Sequence, residues 1–198
     1  MLEYMEQKYE AAFTKQESYG GQFGKNYSML KVRCSEVKAD GILVRKVWEG
    51  GKVIYQDNYL AYLLKEQIEG HIKELAEPVF GACKVFYKIP EMVFPIETSA
   101  DMKIEDFLKS SWAMVRIYLY IKECPVDKKK QVEKFCMLLQ EKEYLSGGLI
   151  SWPLNGENYQ KITGDNFTKA AYAGYQYETE VIFSLKDKNA SARLKWKE

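Results

Sequence analysis

Leu30-Lys31-Val32-Arg33-Cys34-Ser35 alternates apolar and polar residues, and the chain repeats that habit in Ile42–Trp48 and Lys52–Tyr55. Period-two alternation sets Leu30, Val32 and Cys34 on one face of a half-buried strand and Lys31, Arg33 and Ser35 on the other. Ala39-Asp40-Gly41 predicts a tight turn into the second strand, and Glu49-Gly50-Gly51 a turn into the third. The three segments predict an antiparallel meander.

Working outward, Leu2, Met5, Tyr9 and Phe13 recur at steps of three or four and predict a short helix over residues 1–13. Gly20-Gly21 and Gly24 mark a loop. On the other side of the meander, Asp57 or Asn58 caps the most strongly patterned helix. Its apolar stripe is Leu60, Leu63, Leu64, Ile68, Ile72 and Leu75, opposite Lys65, Glu66, Glu69, Lys73 and Glu74, and Pro78 and Gly81 close it. A fourth strand carries Cys83, Val85, Tyr87 and Ile89 on one face. Pro90 and Pro95 bracket a loop, and residues 102–109 form a short helix.

Trp112–Lys122 is apolar on both faces, as expected of a strand inside a sheet covered on both sides. Pro125 and Asp127 open a second long helix striped by Val132, Phe135, Cys136 and Leu139, ending near Gly147-Gly148. A strand over Leu149–Leu154, a short helix over Asn166–Ala173 stopped by Gly174, and a hairpin pairing Tyr177–Leu185 with Ser191–Trp196 complete the chain. The expected class is α+β: a mainly antiparallel twisted sheet with two long amphipathic helices packed on it. Strict βαβ alternation, the mark of a nucleotide-binding fold, is missing. Asp57-Asn58-Tyr59 and Asp165-Asn166-Phe167 look alike, but two independent helix caps explain both.

Composition narrows the function. The 198 residues are 46% hydrophobic and 29% charged, which fits one globular domain over residues 1–198 and is far from the signature of disorder. A net charge of +1 supplies no global field toward phosphate backbones or anionic lipid, so nucleic acid is not an expected partner. No stretch approaches the ~20 apolar residues that span a bilayer, and the N-terminus lacks the pattern of an export signal. Cys34, Cys83, Cys124 and Cys136 are widely spaced, without a C-x-x-C pair, and read as buried free thiols.

Catalytic and metal motifs are not found. His71 is the sole histidine, and no cysteine stands at a spacing that selects it as a nucleophile or as a zinc partner. Gly20-Gly21-Gln22-Phe23-Gly24-Lys25 has the flavour of a phosphate loop. It lacks the spacing of the glycines and the Ser or Thr after the lysine, where Asn26 stands, and it follows a predicted helix rather than a strand. Neither a metal nor a cofactor is expected.

The compositional excess is aromatic: 15 Tyr, 9 Phe and 4 Trp. Tyr and Trp join a large apolar area to a hydrogen-bonding tip, which suits recognition surfaces, although strands also favour them. Trp152, Tyr159, Tyr175 and Tyr177 cluster late and are the candidate contact residues for a protein, peptide or glycan. The leading expectation is therefore a non-enzymatic binding domain. A small cytoplasmic enzyme built around His71 and a cysteine, and a partner-neutralising protein of the immunity type, stay open beside it.

Leu2-Glu3-Tyr4-Met5-Glu6-Gln7-Lys8-Tyr9, the strand block through Val53, Asp57-Asn58-Tyr59-Leu60 and Phe80-Gly81-Ala82-Cys83-Lys84-Val85 together resemble a loose group of small surface or lipoprotein-like proteins of Gram-positive bacteria. The resemblance covers the first half of the chain. It implies a place at the cell surface, held there by an N-terminal anchor that the first residues of this sequence do not supply.

Overall fold

The computed structural model describes residues 1–20, 26–37, 39–95, 98–113, 115–123, 127–153, 156–170, 177–187 and 190–197. They fall into two compact units: Met1–Lys65 with Ile89–Lys103, and Glu66–Lys88 with Ile104–Glu198. The class is α+β with mainly antiparallel pairing, and the strands divide between a four-stranded and a five-stranded sheet.

In the first unit, helix α1 (Leu2–Tyr9) leads into strands β1 (Phe13–Gly20), β2 (Tyr27–Cys34), β3 (Ala39–Glu49) and β4 (Lys52–Asp57), paired antiparallel in that order. The expected meander is thus β2–β4, and β1 adds an edge strand where the sequence suggested helix and loop. The reason is that Phe13 is buried while residues 14–19 are exposed, so Thr14-Lys15-Gln16-Glu17-Ser18 carries no apolar alternation. Backbone pairing with β2 holds this strand in place. Helix α1 ends instead at Glu10, which adopts a left-handed φ of 52° and returns its N–H to the Glu6 carbonyl. The glycine-rich segment 21–25 lies outside the described residues, and β1, rather than the expected helix, leads into it.

The core of this unit is Met5, Phe13, Val32, Cys34, Ile42, Val44 and Tyr59. Its polar centre is Asp57, only 1% exposed. Tyr4 Oη (2.9 Å) and Lys8 Nζ (2.8 Å) donate to Asp57 Oδ2, while Tyr9 Oη (2.7 Å) and the Tyr59 N–H (3.0 Å) donate to Oδ1. A buried carboxylate survives only when paired and hydrogen-bonded in this way. Tyr4, Lys8 and Tyr9 stand at helical spacing on α1, so one carboxylate clamps that helix to the end of β4. Asn58 is equally occupied: its Oδ1 accepts the Leu43 N–H at 2.8 Å and its Nδ2 donates to the Pro90 carbonyl at 3.0 Å. Asp57-Asn58-Tyr59, part of the resemblance above, is therefore a structural knot.

The patterned helix is two helices, α2 (Tyr59–Leu63) and α3 (Lys65–Phe80), and Leu64 closes the first. Pro78 sits inside the last turn of α3, and Gly81, at φ 73°, ends the helix by donating to the Glu77 carbonyl.

In the second unit, β5 (Cys83–Lys88), β6 (Val115–Ile121), β7 (Ser146–Pro153), β8 (Tyr177–Leu185) and β9 (Arg193–Lys197) pair in chain order. All pairs are antiparallel except β6 with β7. Helix α4 (Ile104–Lys109) precedes β6, and α5 (Lys128–Glu141) connects the parallel pair. That is one local βαβ unit in an otherwise antiparallel sheet. Asp127 caps α5 by accepting the Lys130 N–H at 3.0 Å.

One face of this sheet is covered by α3 and α5. The predicted stripe residues Ile68, Ile72, Val132, Phe135, Cys136 and Leu139 are all buried. The Phe80 ring meets Phe135 edge-on, and Phe135 meets Phe183 likewise. The opposite face is partly covered by α6 (Gly156–Lys161) and α7 (Phe167–Ala170). The sequence showed no sign of α6, and the described part of the helix expected over Asn166–Ala173 is α7.

Candidate binding site

The partly covered face of the five-stranded sheet can be read as transverse rows, because alternate residues point to one side and register aligns them across strands. Lys84, Tyr120, Ser151, Glu180 and Lys197 form one row, and Phe86, Tyr118, Leu149, Ile182 and Lys195 the next. Lys88, Arg116, Gly147, Ser184 and Arg193 form the third.

Helices α6 and α7 close over the first row. Tyr159, Ile162, Phe167 and Ala170 pack with Tyr118, Tyr120 and Leu149, and Tyr177 lies against the same cluster. Lys84 secures the lid: its Nζ donates to the carbonyls of Tyr159 (2.8 Å), Gln160 (3.2 Å) and Ile162 (2.8 Å), the C-terminal end of α6. A cation suits that negative helix end. The Lys84 Nζ also lies 4.7 Å from the centre of the Tyr159 ring. Tyr120 Oη donates to the Phe167 carbonyl at 2.6 Å, and Tyr177 Oη donates to that of Ala170.

Past the lid the second and third rows open into a groove of about 650 Å³. Its lining residues sit on strands and connecting segments, among them Arg116, Tyr118, Gly147, Leu149, Ile182 and Ser184. The floor is apolar along Tyr118, Leu149 and Ile182, and Ile182 stays 39% exposed. Small residues, Gly147 and Ser184, hollow out the third row between Arg116 and Arg193. Lys186 and Lys197 also border the space. Among the described residues neither Arg116 nor Lys186 has a carboxylate partner, and Lys197 has Glu180 at 3.9 Å.

The residues singled out from sequence divide. Tyr159 and Tyr177 are brought together in the aromatic cluster, which shares Tyr118 and Leu149 with the groove. Trp152 points to the other face, 1% exposed, with its ring edge-on to Phe80 and stacked on Trp196. Tyr175 lies outside the described residues. What the sequence reading passed over is the groove itself, whose one-dimensional trace is Arg116 interrupting the apolar run of β6.

Among the described residues His71 is partnered by a tyrosine rather than by a thiol. His71 Nε2 is 2.9 Å from Tyr144 Oη, and burial raises that tyrosine's pKa. Burial, with Glu77 nearby, pushes the Cys83 thiol up to about 11, and burial with Glu133 pushes Cys136 up to about 12. Cys34 is buried and accepts a hydrogen bond from Tyr59 Oη, and Cys124 lies outside the described residues. Among the described residues no His, Cys, Asp and Glu group could hold a metal ion. No helix among them is long and apolar enough to cross a membrane.

No family model and no curated protein matches this sequence. Among solved structures, the chain is similar to a DUF5037 family protein from Ruminococcus gnavus at 16% identity and a TM-score of 0.43, over 96% of this chain and 92% of that one.

Proposed function

We propose that this chain is a non-enzymatic binding domain and that the groove on the five-stranded sheet is its ligand site. The observation that carries this reading is the groove itself, in which Ile182 stays exposed beside Leu149 and Tyr118 on the sheet face that α3 and α5 do not cover. Covering Ile182 and the rim of Leu149 with a ligand removes that apolar surface from water, the ordinary driving force for a concave site of this size. The aromatic cluster that holds Tyr159 and Tyr177 adjoins the groove through Tyr118 and Leu149, which belong to both. The enzyme alternative is disfavoured at two of the four thiols, because Cys83 and Cys136, with pKa values raised by burial, are poor nucleophiles at neutral pH.

The test is an NMR fragment screen on ¹⁵N-labelled protein. Binding fragments are expected to shift the amides of Gly147, Leu149, Ile182 and Ser184. Shifts that gather elsewhere, for example around exposed Trp48 and Val53, or a screen without hits, would overturn the assignment.

A further inference from the structure

We infer that the groove selects an amphiphilic small-molecule anion, with its carboxylate or phosphate over Gly147 and Ser184 beside Arg116 and its apolar body along Leu149, Ile182 and Tyr118. The inference rests on the groove being the ligand site. It goes further by fixing the sign and shape of the ligand.

The three rows carry six cationic residues and one carboxylate, Glu180, in a chain whose net charge is only +1. Two of the six are engaged, Lys84 by the end of α6 and Lys197 by Glu180. Cations on an edge strand also discourage pairing with other chains, which accounts for Arg193 and Lys195 on β9. That explanation does not reach Arg116. It sits on β6, between β5 and β7, exposed and with no carboxylate among the described residues. A guanidinium there offers a planar fork to a carboxylate or phosphate.

The row holding Arg116 has Gly147 and Ser184 at its centre, so a headgroup can sit low in the sheet, with the Ser184 hydroxyl as a further donor. The adjoining row is apolar across Tyr118, Leu149 and Ile182. Polar and apolar recognition are therefore one row apart, the layout of an amphiphile rather than of a fully charged ligand. A volume near 650 Å³ suits a small molecule.

The experiment is calorimetric titration with dodecanoate, dodecanol and dodecylammonium, each below its micelle concentration, on the unmodified chain and on Arg116→Gln and Ile182→Glu. Both sites are exposed, so both variants should keep the fold, which circular dichroism checks. Dodecanoate is expected to bind at least about tenfold more tightly than dodecanol, and dodecylammonium more weakly than either. Arg116→Gln should erase the preference and leave dodecanol unchanged, and Ile182→Glu should abolish binding of both. Equal affinity for dodecanoate and dodecanol, with Ile182→Glu still abolishing both, overturns the anion and leaves the groove standing. Binding that survives Ile182→Glu, or binding of none of the three probes, overturns both. Dodecyl phosphate in a parallel titration tells which headgroup Arg116 prefers.

Discussion

Gly148 runs so close to Ile117 across the parallel β6–β7 pair that a Cβ on the glycine would collide with the Ile117 carbonyl oxygen. Its φ of 157° is a second obstacle to any side chain. Because the obstruction is backbone, no rotamer change relieves it. Gly148→Ala is expected to cost at least about 3 kcal/mol. Gly70, in the exposed middle of α3, has nothing within 4 Å of the place an alanine methyl would take. Gly70→Ala should therefore stabilise by about 0.5–1 kcal/mol. Urea unfolding of the two variants checks the opposite signs.

The Asp57 cluster predicts a graded series. Tyr4→Phe and Tyr9→Phe each remove one donor and should cost about 1–2 kcal/mol. Asp57→Ala strands Lys8 and both hydroxyls and should cost about 3–5 kcal/mol. A Tyr9→Phe, Asp57→Ala double-mutant cycle should be clearly non-additive, since the residues share one network. Additive behaviour would mean that the hydroxyl contributes nothing through the carboxylate.

Alkaline pH should unfold the protein from a defined threshold. Burial raises the pKa of Tyr4, Tyr9, Tyr59, Tyr87 and Tyr120, in the first two cases reinforced by Asp57, and raises Tyr62 to about 12. A raised tyrosine pKa means that the folded state keeps protons the unfolded chain would release. Stability from these groups is thus complete below the unfolded value of about 10 and is lost as pH rises through and beyond it. Urea midpoints should be flat in pH with respect to these groups until about 10 and then fall. Tyrosinate absorbance from these residues should appear together with unfolding.

Thiol chemistry gives a further check. Cys83 and Cys136 should resist iodoacetamide in the native protein at neutral pH and react once urea unfolds it, as peptide mapping would show. Native labelling of Cys83 would remove the argument against a thiol enzyme.

Lys84→Ala should loosen α6 without melting the sheet. It leaves the Tyr159 and Ile162 carbonyls without their cation, and faster hydrogen exchange should be confined to Gly156–Ala170. Unchanged exchange there would mean that the aromatic packing alone holds the lid.

The legible parts of this fold were those in which burial writes a period into the sequence. Leu30–Cys34 and Cys83–Tyr87 alternate because one face is buried, and the α3 and α5 stripes recur because a single sheet face receives them. Strand β1 was illegible because, beyond Phe13, backbone pairing rather than burial places it. The break at Leu64 leaves the 3.6-residue stripe intact, so periodicity could not show it. The aromatic cluster was half legible: composition brought Tyr159 and Tyr177 forward, but alternation put Trp152 on the opposite face from them. The groove needs Arg116, Gly147, Leu149, Ile182 and Ser184 side by side, and only the register of three strands makes them neighbours.

Four donors converge on one carboxylate, and three of them, Tyr4, Lys8 and Tyr9, come from a single short helix. A lineage that exchanged Asp57 for a neutral residue would leave Lys8 without its counter-charge, so drift at any one of these positions should drag the others with it. The set Tyr4, Lys8, Tyr9 and Asp57 is therefore a fingerprint: distant kin of this chain should keep it whole or replace it together.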